Sequence, residues 1–166
     1  MRLVDLLLPE FDHEMTSTRR VLARAPESLF SWRPHEKSWT LGGICTHLAN
    51  IPRWGTSILT HDSYDLARDA GPRSIEKTSL ADVLTTFDSH VSEARASLID
   101  VTDGGLLVPW ALKRDGVVMM SLPRIQAFKS FAISHVVHHR GQLTVYLRLQ
   151  NVPLPPIYGP TADEGA

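Results

Sequence analysis

The sequence predicts an all-α protein: a four-helix bundle with a small hairpin or loop insertion between its third and fourth helices. Apolar residues recur at spacings of three and four along four stretches of about 20 residues. The last three open at capping residues or proline, and the first, third and fourth end near Pro, Gly or Asn. Apolar content of 43% and charged content of 21% are ordinary for a globular chain, and 166 residues suit one domain spanning 1–166.

The first stripe is Val4, Leu7, Leu8, Phe11, Met15, Thr18 and Leu22, within residues 3–24 and stopped at Ala25-Pro26. His13 falls almost opposite it and reads as a solvated surface group. A loop follows, SLFSWRPHEKSWT, from which Ser38 or Thr40 can cap a second helix running to about Leu59. That helix carries Ile44, His47, Ile51, Trp54 and Ile58 in line. Pro52 should kink it and free a carbonyl near Leu48. Residues 60–77 read as a polar connection containing Gly71-Pro72. Ser79 and Asp82 form a capping-box pattern ahead of a third helix with Leu80, Val83, Leu84, Phe87, Val91, Ala94 and Leu98, ended by Asp103-Gly104-Gly105. LLVPWAL and VVMMSL then flank Asp115-Gly116, which predicts a hairpin or paired loop. Pro123 suits the first turn of a fourth helix reaching about Gln150, with Asn151 and Pro153 as its stop. The tail VPLPPIYGPTADEGA is too rich in proline for a helix and should lie extended on the surface.

With 17 Lys+Arg against 18 Asp+Glu, the net charge is −1, which gives no electrostatic case for nucleic acid. Nothing approaches the roughly 18 apolar residues of a membrane span, and the opening MRLVDLLLPEF lacks a signal-peptide core. Cys45 is the single cysteine, so a reducing, cytoplasmic compartment is expected.

HVVHHRGQL, residues 135–143, holds three of the eight histidines. On a helix His135 and His139 stand about 40° apart, one turn above the other, which lets both rings reach one ion. A uniform helical count puts them in line with Phe128, Phe131 and Ala132 before them and Gln142, Tyr146 and Leu149 after, so both should point into the bundle. Unpartnered imidazoles there would cost on the order of 1–3 kcal/mol each, and a metal is a suitable partner. His47 occupies a slot in its own stripe where an apolar side chain would be expected. His47, His135 and His139 therefore make a candidate open tri-histidine metal site; three separately satisfied core histidines are the alternative. His138 lies at the margin of the face, as a packing or supporting group. Cys45 points away from His47, and His35, His61 and His90 fall on the surface. Gly141 marks a place where helices could approach closely.

The stretch His135-Val-Val-His138-His139-Arg140-Gly141-Gln142 resembles the signature of the DinB-like, or YfiT-like, family of metalloenzymes. PHEKSWTLGGICTHLANIPRW (34–54) is similar to the family's second-helix segment with its first metal histidine. FDHEMTSTRRVLARAPE and YLRLQNVPLPPIYGPTADE resemble its first helix and closing segment. The resemblance implies an up-down-down-up bundle, a homodimer, and a divalent metal held by His47, His135 and His139.

Three neutral imidazoles leave the ion's charge uncompensated and favour an anionic fourth ligand, hydroxide or thiolate. Zinc, nickel and iron all suit imidazole. Relatives that use mycothiol or bacillithiol imply a transferase that activates a low-molecular-weight thiol for transfer to a small electrophile. Two alternatives stand beside it. One is metal-assisted hydrolysis with Asp12, Glu14 or His138 as base. The other is a non-catalytic, dimeric, metal-binding stress module, although structural zinc normally fills all four positions with protein ligands. Glu14, at the edge of its stripe, is the carboxylate best placed to approach the metal. The expected pocket for the small-molecule substrate is walled by Trp39, Trp54, Phe131 and the 106–122 loop.

Overall fold

Helix α1 spans Val4–Leu22. It accommodates Pro9, which removes one backbone bond, because Val4, Leu7, Phe11, Met15 and Leu22 bury the same face against the core. The computed structural model describes residues 1–69 and 76–165. Thr40 caps α2 (Leu41–Asn50), its Oγ1 accepting from the Gly43 N–H at 2.9 Å. Pro52 breaks the helix as expected: α3 (Pro52–Thr60) restarts with proline in its first turn, while Ile51 keeps helical angles.

The expected polar connection contains a strand, β1 (Ser63–Asp65), and its Gly71-Pro72 lies outside the described residues. Ser79 Oγ accepts from the Asp82 N–H at 3.0 Å and starts α4 (Leu80–Asp100), which buries Val83, Phe87, Ala94 and Leu98. Asp103-Gly104-Gly105 does more than end a helix. Thr102 caps it into a short helix α5, Asp103–Leu107.

Strands β2 (Pro109–Arg114) and β3 (Val117–Pro123) form the hairpin. Asp115 and Gly116 turn it with φ of 51° and 79°, the paired left-handed angles of a tight hairpin turn. β1 adds in parallel to β2, pairing Ser63 with Ala111, so the sheet order is β1-β2-β3. The buried Asp65 carboxylate ties this together, accepting from the N–H groups of Gly116 (2.7 Å), Ala67 (2.9 Å) and Asp115 (3.1 Å). Those backbone donors, Gly116 foremost, hold its carboxyl below the usual range. The fold is thus mostly helical with a three-stranded sheet, not all-α with a simple insertion.

The last helical stretch departs most from expectation. It runs as α6 (Arg124–Phe128), a π-helical turn (Lys129–Ser134) and α7 (His135–Leu149). A π turn holds one residue more than an α turn, so a uniform count of about 100° per residue misplaces everything after it by one position. The core face of α7 is Val136, Arg140, Leu143 and Leu147, not the line through His135, His139, Gln142 and Leu149. Leu149 is 56% exposed. Gly141 is exposed, with open space where a Cβ would stand. The close approach occurs at Gly55, where a Cβ would lie 2.9 Å from Phe128 Cε2 and 3.2 Å from Ala94 Cβ.

Asn151, at φ 57°, terminates α7, and the Val152 and Asn151 N–H groups reach back to the Leu147 and Arg148 carbonyls. α1 and α2 each pack on α4 and α7, and α3 packs on α4 and α6. The tail after Asn151 lies outside helix and sheet, held by Arg148–Asp163 and Arg24–Glu164 ion pairs. Among the described residues no helix is long and apolar enough to cross a membrane.

Candidate metal centre

His47 lies on α2 one turn before the Pro52 break, His135 is the first residue after the π turn, and His139 follows one turn later. One ring nitrogen from each falls within 4.8 Å of the others. The Nε2 atoms of His47 and His135 are 3.2 Å apart. Two nitrogens bound tetrahedrally at about 2.0–2.1 Å would be about 3.3 Å apart, so the donor set fits an ion such as zinc. His139 Nδ1 lies 2.7 Å from Gln142 Oε1. An amide oxygen only accepts, so Nδ1 carries the proton and Nε2 keeps its lone pair for a ligand.

All three imidazoles are half-buried, at the rim of the core and not within it as the uniform helical count implied. Burial lowers the His47 pKa to about 4, reinforced by repulsion from His139 and His135. Burial also lowers His135, opposed by a hydrogen bond to the Phe131 backbone, and His139, opposed by its bond to Gln142. The trio is therefore neutral at pH 7, the protonation state a metal requires.

Trp39, 43% exposed, stacks on His139 (centroids 5.3 Å, 18°) and meets His47 edge-on at 4.6 Å. Beside it opens a cleft of about 270 Å³ lined by Arg33, Trp39, Thr40, His47 and Glu76, among others. Trp54 and Phe131, expected as walls, instead stack on each other (5.7 Å, 25°) and pack against the buried Trp110, Trp54 edge-on at 6.4 Å and Phe131 tilted at 5.8 Å. The 106–122 segment is occupied as the hairpin.

The proposed bases are differently placed. Asp12 is bound by Arg95 at 2.8 and 2.9 Å. Glu14 is buried, but in an ion pair with Arg140 at 2.7 Å and under the Tyr158 hydroxyl at 2.8 Å. His138 is exposed and edge-on to His139 at 4.7 Å. Cys45 is fully buried and its thiol is pushed up to about 12, chiefly by burial. His13, His35 and His61 are exposed, whereas the half-buried His90 hydrogen-bonds the Ala49 carbonyl at 2.9 Å. Arg33, Glu76 and the Gln142 partner of His139 were not singled out from the sequence. Gln142 was findable, lying three residues after His139 on a helix. Arg33 and Glu76 come from separate loops and carried no signal.

The DinB family model matches residues 2–166. The chain belongs to the DinB family. This DinB-family chain is 26% identical over 165 residues to the uncharacterized protein YrdA of Bacillus subtilis (strain 168), covering 98% of this chain and 92% of YrdA. In structure it is similar to a DinB-like protein (YjoA) from Bacillus subtilis, with a TM-score of 0.70, 16% identity, and 92% and 96% of the two chains covered. It is also similar to a DinB-like protein from Bacillus cereus ATCC 10987, with a TM-score of 0.68, 22% identity, and 91% and 95% covered.

Proposed function

We propose that this DinB-family protein is a divalent-metal-dependent transferase. His47, His135 and His139 hold the metal, and a low-molecular-weight thiol is activated there for transfer to a small electrophile. The observation that carries the reading is the convergence of three neutral imidazoles at 4.8 Å or less, with no fourth His, Cys, Asp or Glu joining them among the described residues. A structural metal site would normally be closed by protein. When bound, zinc, nickel or iron would supply positive charge that favours a thiolate over a thiol at neutral pH.

The chain's own residues do the rest. Gln142 fixes the His139 tautomer, and Trp39 covers two of the rings on one side. Cys45, buried and protonated, supplies no nucleophile, so the sulfur comes from a cosubstrate. Asp12 and Glu14 are committed to Arg95 and Arg140, which weighs against the hydrolytic alternative with either as base. The reading includes a homodimer of four-helix up-down-down-up bundles in the cytoplasm.

Elemental analysis of untagged protein tests the site. About one metal per chain is expected in the parent and none in a His135→Ala, His139→Ala variant. Thiol-conjugate formation with a model electrophile should require the loaded parent. Parent protein that stays folded yet refuses zinc, nickel and iron would overturn the proposal.

A further inference from the structure

The cleft beside His47 contains two charges of opposite sign that do not meet. Arg33 makes one long contact, 3.5 Å from Nη1 to the Glu36 carbonyl, and no ion pair among the described residues. Glu76 accepts the Thr40 hydroxyl on Oε1 at 2.5 Å and likewise has no ion-pair partner among them. Its position is set by the helix beneath it. Thr40 caps α2, the Lys77 N–H bonds Thr46 Oγ1 at 2.8 Å, and a Cβ on Gly42 would lie 2.7 Å from Glu76 Oε1. The two glycines at the start of α2 thus leave room for this carboxylate. A fixed anion and a free guanidinium face one space of about 270 Å³ that also touches His47.

We infer that Arg33 and Glu76 form a two-signed clamp for a small zwitterion, Arg33 binding its carboxylate and Glu76 its ammonium group. The volume suits a molecule of amino-acid size and lies just below the usual range for larger ligand pockets. An arginine fork matches a carboxylate in shape as well as charge. A ligand with both charges replaces the missing ion pair on each side, while a ligand with one charge leaves the other side unmatched. The reacting group of such a ligand would be carried toward His47. Only this last point rests on the thiol reading.

The test titrates cobalt-loaded protein with L-cysteine, cysteamine and 3-mercaptopropionate, following the thiolate-to-cobalt absorption band. Calorimetry with L-serine, ethanolamine and 3-hydroxypropionate runs in parallel. L-Cysteine should bind about tenfold more tightly than either singly charged thiol, as the loss of one charge-assisted contact predicts. Arg33→Gln should weaken L-cysteine and 3-mercaptopropionate but not cysteamine; Glu76→Gln should weaken L-cysteine and cysteamine but not 3-mercaptopropionate. If no thiol produces the band but the oxygen compounds show the same ranking and variant pattern, the clamp stands and the thiol reading falls. Equal or undetectable binding across both series, or variants that affect all ligands alike, overturns the clamp.

Discussion

Replacing Arg140 by methionine should cost the protein a large part of its stability. The guanidinium is 2% exposed and sits 2.7 Å from Glu14 Oε2; it also donates to the Tyr158 hydroxyl at 2.7 Å and the Glu14 carbonyl at 3.2 Å. Methionine keeps most of the apolar contact and leaves the Glu14 carboxylate buried without its cation. Stranding one member of a buried pair costs about 3–5 kcal/mol. Tyr158 still donates to that carboxylate at 2.8 Å, which places the expectation near the lower bound, about 3 kcal/mol. For a chain of this length that is a fall in Tm of roughly 6–12 °C. Adding Glu14→Leu removes the stranded charge, so the double variant should recover most of the loss. Urea unfolding of the parent, both single variants and the double, followed by far-ultraviolet circular dichroism, gives the coupling directly. A single-variant cost below about 1 kcal/mol, or losses that simply add, would show that the Glu14 carboxylate is not stranded by the change.

Two glycines should respond with opposite signs. Gly55→Ala forces a Cβ to 2.9 Å from the buried Phe128 ring and should cost about 1–3 kcal/mol, whereas Gly141→Ala meets nothing and should gain up to about 1 kcal/mol; equal urea midpoints would contradict both. Cys45, buried with its thiol pushed to about 12, should stay unmodified by an aromatic disulfide reagent at pH 8 until the protein is unfolded, and rapid native labelling would show the thiol to be accessible. Metal retention should persist below the ordinary imidazole range, because His47 is lowered to about 4 and His135 and His139 are also lowered. The neutral rings bind, so metal is lost as pH falls through those lowered values. Half-loss of zinc at pH 6.5 or above, in a pH titration with a metal indicator, would contradict this expectation.

The histidine trio was legible because its information is local. His135 and His139 share a face whatever precedes them, and His47 interrupts an apolar stripe. Thr40, Ser79, Asp115-Gly116 and Asn151 were legible for the same reason, since caps and turns depend on a few neighbouring residues. What failed was long-range or depended on counting. β1 is three residues whose partner strand lies more than 40 positions away, and a short polar strand has no pattern of its own. Arg140 reads as exposed on an unbroken α count and is among the most buried side chains. The depth of His135 and His139 was overstated by that same count. Arg33 and Glu76 meet the cleft only through tertiary folding.

The wide turn at Lys129–Ser134 also bears on how this chain is compared with its relatives. It holds one residue more than a plain α turn, taken up in place so that the helix beyond keeps its faces. A relative lacking that residue would present the same histidines to the cleft through a plain α-helix. Its sequence would then align with this one only across a single-position gap. Pairing the two helices without the gap would set His139 against the neighbour's arginine position and make a preserved centre look lost.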